Sequence, residues 1–286
     1  MRRVVCRSLL AAVAFLCAPL LGDDGKSIDD YVSGSLTIDY ETKAFTYGLV
    51  DSDDPVFMPY GSLTFFDTFT FGSLFIIDTS HYSEKVGRGD RAWDFWEIDF
   101  PVDLRHTFTA DEFDWLPTSV EIGVGYRYEY HPRRSNCHDT QFWVFDVALP
   151  DLWLVPRFAY ERDTINDNGT YLNLNLSHTF QIAEDVDFTL GVGQGFGDER
   201  RVKGYLCKDD WEPLEKAGLM DTSVKAELGW TITEWMRITG FVAYYDFLFD
   251  RKIRHASRLY QPRNAGGHGS DTSWHFAAGV AVTFLF

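Results

Sequence analysis

A chain of 286 residues could make one or two soluble domains or a single barrel. Its 43 acidic residues against 26 basic ones give a formal charge of −17, which points away from nucleic acid, whose phosphates demand a basic surface. Aromatic residues make up 16% of the chain. That is unusual beside so much acid in a soluble enzyme, and expected where aromatic girdles face lipid headgroups and acids face water.

The first segment reads as a signal peptide over residues 1–22. Arg2, Arg3 and Arg7 form a charged start, Leu9 to Leu21 a short apolar core, and cleavage is expected near Gly22. Cys17 is not expected to carry lipid, because Leu16 precedes it where a small residue is usual. No later stretch is apolar over anything near ~18 residues, so the mature chain would cross a membrane only as strands.

Residues 23–286 alternate apolar and polar with period two, segment after segment, which is the strand pattern. Strands are predicted at 32–42, 57–66, 69–79, 93–106, 119–131, 140–149, 153–163, 169–181, 186–196, 220–232, 235–248 and 273–286. In the first, Leu36, Ile38 and Tyr40 oppose Asp39 and Glu41. In the fourth, Trp96, Ile98, Phe100, Val102 and Leu104 oppose Glu97, Asp99, Asp103 and Arg105. Val120 to Tyr130 oppose Glu121, Arg127 and Glu129, and Val224 to Trp230 oppose Lys225 and Glu227. The last segment sets Trp274, Phe276, Val280, Val282, Phe284 and Phe286 on one face, with small or polar residues on the other. Faces around Gly61 to Asp78 and Met236 to Phe247 cannot be assigned. Odd-numbered connections are mostly long and hydrophilic, and even ones mostly tight, such as Asp67-Thr68 and Thr233-Glu234. Only Thr107 to Thr118 breaks the alternation. The expected fold is all-β: one transmembrane antiparallel up-and-down barrel of about twelve strands, with both termini on the short-turn side.

In that barrel the polar face encloses a lumen. The pore-lining set is then Asp39, Glu41, Glu97, Asp99, Asp103, Glu121, Arg127, Glu129, Arg157, Glu161, Lys225 and Glu227. Acids dominate, and a ring of carboxylates favours cations. A packed interior with charges paired across strands is the competing reading. Cys137 and Cys207 fall in long outer loops, where a disulfide between them is expected or two free thiols remain. They supply no zinc spacing, and no metal, cofactor or catalytic residue is expected. His131, Ser135 and His138 near one rim are a weak case for catalysis, and Glu97 with Asp99, two apart on one strand face, could suit acid-base work but fit a lumen salt bridge better. The loop carrying Arg251, Lys252, Arg254, His255, Arg258 and Arg263 could meet lipopolysaccharide phosphates or simply be solvated. Asn168-Gly169 reads as a turn. Gly191 to Gly197 has no predicted helix after it, so a phosphate-binding loop is not expected there.

Several of these fragments resemble one family. Leu36 to Tyr40, Phe45 to Val50 with its aromatic-x-x-Gly, Glu97-Ile98-Asp99, Tyr126 to Pro132 and Gly169 to Phe180 are similar to segments of the TorF-like outer-membrane porins. That family has an Arg before its first glycine where this chain has Tyr47. The resemblance implies a barrel and a transport role, with no particular substrate. The expected function is passive diffusion of small hydrophilic solutes or ions across an outer membrane, with mild cation preference. A barrel-embedded hydrolase and a surface-display barrel without a pore are the alternatives. Expected partners are outer-membrane lipid and lipopolysaccharide, and the barrel-assembly machinery through the strand ending in Phe286; a homo-oligomer is left open.

Overall fold

The computed structural model describes residues 31–52, 54–79, 93–109, 112–113, 115–132, 139–206, 212–264 and 273–286. The signal peptide, both cysteines, Ser135 and His138 lie outside them.

Twelve strands close into one antiparallel barrel. They are β1 (Val32–Glu41), β4 (Val56–Phe65), β5 (Phe69–Asp78), β6 (Asp94–Phe108), β7 (Val120–Tyr130), β8 (Thr140–Ala148), β9 (Val155–Asp163), β10 (Thr170–Ala183), β11 (Val186–Gly197), β12 (Gly218–Thr233), β13 (Met236–Asp246) and β14 (His275–Leu285). Each pairs with its neighbour in sequence, and β1 closes the seam against β14 with Leu36 opposite Phe284 and Tyr40 opposite Val280. Phe286 extends that ladder, its amide donating to the Gly34 carbonyl and its carbonyl accepting from the Gly34 amide. Closure removes every free sheet edge, which is what allows strands to sit in hydrocarbon.

The outward face is apolar. Val124, Leu174, Leu190, Leu228, Val242 and Val280 are all exposed there. Aromatic side chains gather at both ends of this band. Tyr40, Trp93, Trp143 and Trp274 stand toward the long loops; Phe66, Trp115, Trp153, Trp230 and Trp235 stand toward the short turns. Two aromatic girdles around an apolar band are the mark of a transmembrane barrel. Gly61 and Gly240 lie on this face, opposite Leu36 and Leu228, and a Cβ on either would meet nothing within 4 Å.

Three features depart from the sequence reading. Trp96, expected to face outward, is buried inside with Ala44 and Val56. The pairing of β5 with β6 slips between Ile76 and Ile77, and this bulge reverses the parity of the residues before it, so that Phe95 points out. Second, the segment read as a loop between the first two wall strands holds a hairpin, β2 (Ala44–Thr46) and β3 (Leu49–Ser52). Third, a helix does follow Gly197. It is α1 (Glu199–Tyr205), capped by Asp198, whose carboxylate accepts from the Arg201 amide. That carboxylate occupies the helix start, so no phosphate site results. The last long loop likewise contains α2 (Arg251–Asn264).

Candidate functional site

The interior is built around the β2–β3 hairpin. Its two-residue turn, Tyr47-Gly48, has φ of 51° and 76°. Such a turn needs left-handed backbone at both central positions, which glycine adopts freely and tyrosine does not. Tyr47 is held there by its ring. The ring lies 4.5 Å from that of Tyr171 and 5.3 Å from that of Tyr205, and the Arg201 guanidinium sits 4.7 Å over it. Its hydroxyl donates to Glu161 Oε2 at 3.1 Å. Gly48 is equally confined, since a Cβ there would fall 2.3 Å from the Asp221 side chain. Phe45 stacks on Tyr245 of β13 at 4.6 Å.

The hairpin enters between β1 and β4, whereas Glu161 is on β9, about half-way round the strand order. It therefore spans the lumen and divides it. On the β10–β13 side lies a dry core of Leu49, Tyr171, Val202, Leu206, Leu214, Met220, Phe247, Ile253 and Ala256, drawn from β3, α1, α2 and the wall. Arg201 is wholly buried at its edge, ion-paired with Asp167 at 3.3 Å. Burial raises the Asp167 carboxyl above its ordinary value, with Arg201 pulling it back down.

On the other side is a cavity of about 890 Å³. Met58, Leu74, Ile76 and Trp96 make one stretch of its lining apolar; beside them Glu41, Glu97, Asp99, Arg127, Glu129 and Glu161 make it charged, and Arg200 and Lys203 add cations from α1. Arg127 ion-pairs with Glu129 at 2.9 Å and Glu161 at 3.4 Å, and its guanidinium lies over the Phe142 ring. Deeper, toward the short turns, Arg105 pairs with Asp103, Glu121 and Asp146, while Arg157 pairs with Glu121 and Asp146. These contacts join β6 to β8 and β7 to β9 past an intervening strand, which only an inward face permits. Lys225 pairs with Glu227 at 3.0 Å, and Asp39 and Glu41 share that region of the wall.

Comparison with solved structures gives the fold a precedent. An outer-membrane channel from Pseudomonas putida F1 matches with a TM-score of 0.51 at 10% identity, over 90% of this chain and 96% of that one. The KdgM porin matches at 0.48 with 11% identity, and the NanC porin at 0.48 with 9%; each comparison covers 87% of this chain and 98% of the other. The fold is that of an outer-membrane barrel. No family model matches the chain, and no curated protein does.

The structure brings the twelve sequence-selected residues into two tiers. Glu41, Glu97, Asp99, Arg127, Glu129 and Glu161 sit at the loop-side cavity, with Asp39, Lys225 and Glu227 on the wall beyond the hairpin. Asp103, Glu121 and Arg157 belong to the deeper cluster. The sequence reading missed Asp146, Asp187, Arg237 and Tyr47. Asp146 lies in the nearly unbroken apolar run Phe142 to Val147, which hides its parity. Its register partner is Gly123, which shares the inward parity of Glu121 and Arg127. Asp187 pairs with Arg237 at 2.7 Å across β12. Of the basic loop residues, Arg251, Lys252 and Arg258 are exposed on α2, whereas Arg254 turns in to pair with Asp246 at 3.2 Å.

Proposed function

We propose that this barrel is a porin-like channel of an outer membrane, of the TorF-like kind, through which small hydrophilic solutes or ions diffuse down their gradients with mild preference for cations. The observation that carries the reading is water contact inside the barrel. The side chains of Arg157 and Lys225 keep 44% and 43% of their exposure, and Arg105 and Glu227 keep 33% each. A lumen packed solid with paired charges would leave these groups dry. The resulting path has a carboxylate surplus at the loop-side cavity, where Glu41, Asp51, Glu97, Asp99, Glu129, Glu161 and Asp167 outnumber Arg127, Arg200 and Lys203. Field lines focused by a low-dielectric wall raise local cation concentration.

On this reading residues 1–22 direct export and are removed, and the strand ending in Phe286 is presented to the barrel-assembly machinery. The exposed Arg251, Lys252 and Arg258 of α2 face lipopolysaccharide phosphates, and Cys137 with Cys207 form the outer-loop disulfide. A hydrolase reading has less support. His131, its described candidate base, contacts Glu97 and no hydroxyl nucleophile among the described residues.

Planar-bilayer recording of the refolded protein under a salt gradient tests the proposal. The expected result is steady conductance with a reversal potential on the cation side. Glu97→Gln, Glu129→Gln and Glu161→Gln together should move it toward zero. Absence of conductance, together with liposomes that do not swell in small sugars, would leave only a display barrel; anion preference would reject the selectivity.

A further inference from the structure

On the cavity side of β6 and β7, four ionisable side chains converge. Glu97 and Asp99 are successive inward residues of β6, and Asp99 lies opposite Glu129 of β7. His131 follows β7 at once, and its Nε2 is 3.2 Å from Glu97 Oε2. One donor atom from each of Glu97, Glu129 and His131 lies within 4.8 Å of the other two. The position of His131 is set by its own backbone, since its amide donates to Asp139 Oδ1 at 3.0 Å while the Tyr128 hydroxyl holds the other oxygen of that carboxylate.

The cluster is shielded from bulk water yet incompletely bonded. The side chain of His131 is 8% exposed, Asp99 is 6% exposed and Thr140, opposite Glu129 on β8, is 3% exposed. Each of the three carries a buried polar atom without a hydrogen-bond partner: His131 Nδ1, Asp99 Oδ1 and Thr140 Oγ1. All three residues line the cavity. Among the described residues, the guanidinium beside Asp99 and Glu129 is that of Arg127, which engages Oε1 of Glu129 and Oε2 of Glu161. Burying carboxylates without compensating charge costs several kcal/mol per ion, and buried orphan donors and acceptors add to that cost. A divalent cation answers both deficits together.

We propose that Glu97, Glu129 and His131, with Asp99 beside them, hold a divalent transition-metal cation at the loop-side cavity of the barrel. Carboxylate oxygens combined with one imidazole nitrogen suit Zn²⁺, Co²⁺ or Mn²⁺ better than the all-oxygen shells that Ca²⁺ and Mg²⁺ take. Glu129 keeps Oε2 for the metal while Arg127 holds Oε1. The site does not depend on conduction. A barrel without a pore would carry it equally well.

The test uses untagged, refolded full-length barrel in detergent micelles, treated with EDTA and then titrated with Co²⁺ while its visible absorption is followed. One saturable equivalent is expected, displaced by Zn²⁺. Glu97→Gln, Glu129→Gln and His131→Gln should each weaken binding by about 100-fold or more, since even outer-shell losses cost 10- to 100-fold. Glu184→Gln, in the exposed β10–β11 turn, should bind as wild type. Folding of every variant is checked by heat-modifiable gel mobility; should His131→Gln not fold, the isosteric Glu97→Gln and Glu129→Gln decide. No saturable binding by folded wild type, or wild-type affinity in the folded glutamine variants, overturns the site. Because binding is read in micelles and conductance in bilayers, failure of either leaves the other standing.

Discussion

The orientation of the wall can be tested at two adjacent residues of β14. Val280 faces outward at mid-strand and is 47% exposed; its register partners are Tyr40 and Gly240. Beside Gly240 there is open space, so an arginine at 280 meets no obstruction. In lipid, that arginine should cost about 2–4 kcal/mol, the range for a cation at the midplane of a barrel wall. At 1.4 kcal/mol per decade, this is a loss of roughly 30- to 700-fold in the folding equilibrium. Ala281 points the other way, between Asp39 and Thr239. An arginine there reaches the Asp39 carboxylate, whose Oδ1 has no hydrogen-bond partner, and should cost no more than about 1 kcal/mol. The assay is equilibrium refolding from urea into lipid vesicles, followed by tryptophan fluorescence and heat-modifiable mobility. Equal costs for Val280→Arg and Ala281→Arg, or a harmless Val280→Arg, would refute the claim that the apolar face meets hydrocarbon. In water, an exposed valine-to-arginine change is worth only about 0.5 kcal/mol either way.

Arg105→Gln removes the guanidinium that contacts Asp146 at 2.9 and 3.0 Å and Glu121 at 2.5 Å, but Arg157 still reaches both carboxylates. The loss should be about 1–2 kcal/mol rather than the ~3–5 of a buried pair left unrepaired, and Arg105→Gln/Arg157→Gln should lose more than the sum of the two. Gly48→Ala places a methyl 2.3 Å from Asp221 on a left-handed backbone, so the hairpin must withdraw from the lumen. Single-channel conductance should rise, and an unchanged conductance would show that the hairpin does not limit flow. Asp250 receives the amides of Lys252 and Ile253 and pairs with Lys216. Burial works against its charge, but the Lys216 bond and those amides outweigh it and hold the carboxyl below its ordinary value of 3.8. A depressed folded value means that the contribution to α2 docking is complete above the unfolded value and is lost as pH falls through the folded one. Hydrogen exchange across α2 should therefore stay slow at neutral pH and quicken only in strong acid, whereas Asp250→Asn should exchange quickly at pH 7.

The wall was legible because most strands obey one rule, greasy out and polar in, and the rule survives without knowledge of partners. It failed where local geometry or composition broke the parity. At Trp96 a bulge shifts the alternation by one residue. Along Phe142 to Val147 both faces are mostly apolar because Phe142 turns inward beneath the guanidinia of Arg127 and Arg201. The interior furniture was harder still. Leu49 and Val50 read as loop residues because β3 spans only Leu49–Ser52, too short for a period to show. Val202, Leu206 and Ile253 are buried by contacts between separate loops, and no local pattern reports those. The convergence of Glu97, Glu129 and His131 needed the β6–β7 register, which alternation alone does not supply.

A twelve-stranded wall lies between the barrels of about eight strands that side chains just fill and the barrels of about sixteen or more that leave a channel, so what folds into the lumen decides the bore. Here the first loop does so. By crossing to β9, the hairpin commits the loop-side part of the β10–β13 half to a dry core, while the cavity and the deeper wall around Lys225 and Glu227 stay open to water. In the proposed channel, selectivity would depend on the few charges along the water-lined interior, not on the net charge of the chain. Glu161 holds a special place among them, because the Tyr47 hydroxyl and the Arg127 guanidinium both end on its Oε2. It joins the hairpin tip to β7 and β9. Neutralising it should loosen the hairpin and weaken cation preference together. Neutralising the exposed Glu184 changes the net charge by the same amount and should alter neither.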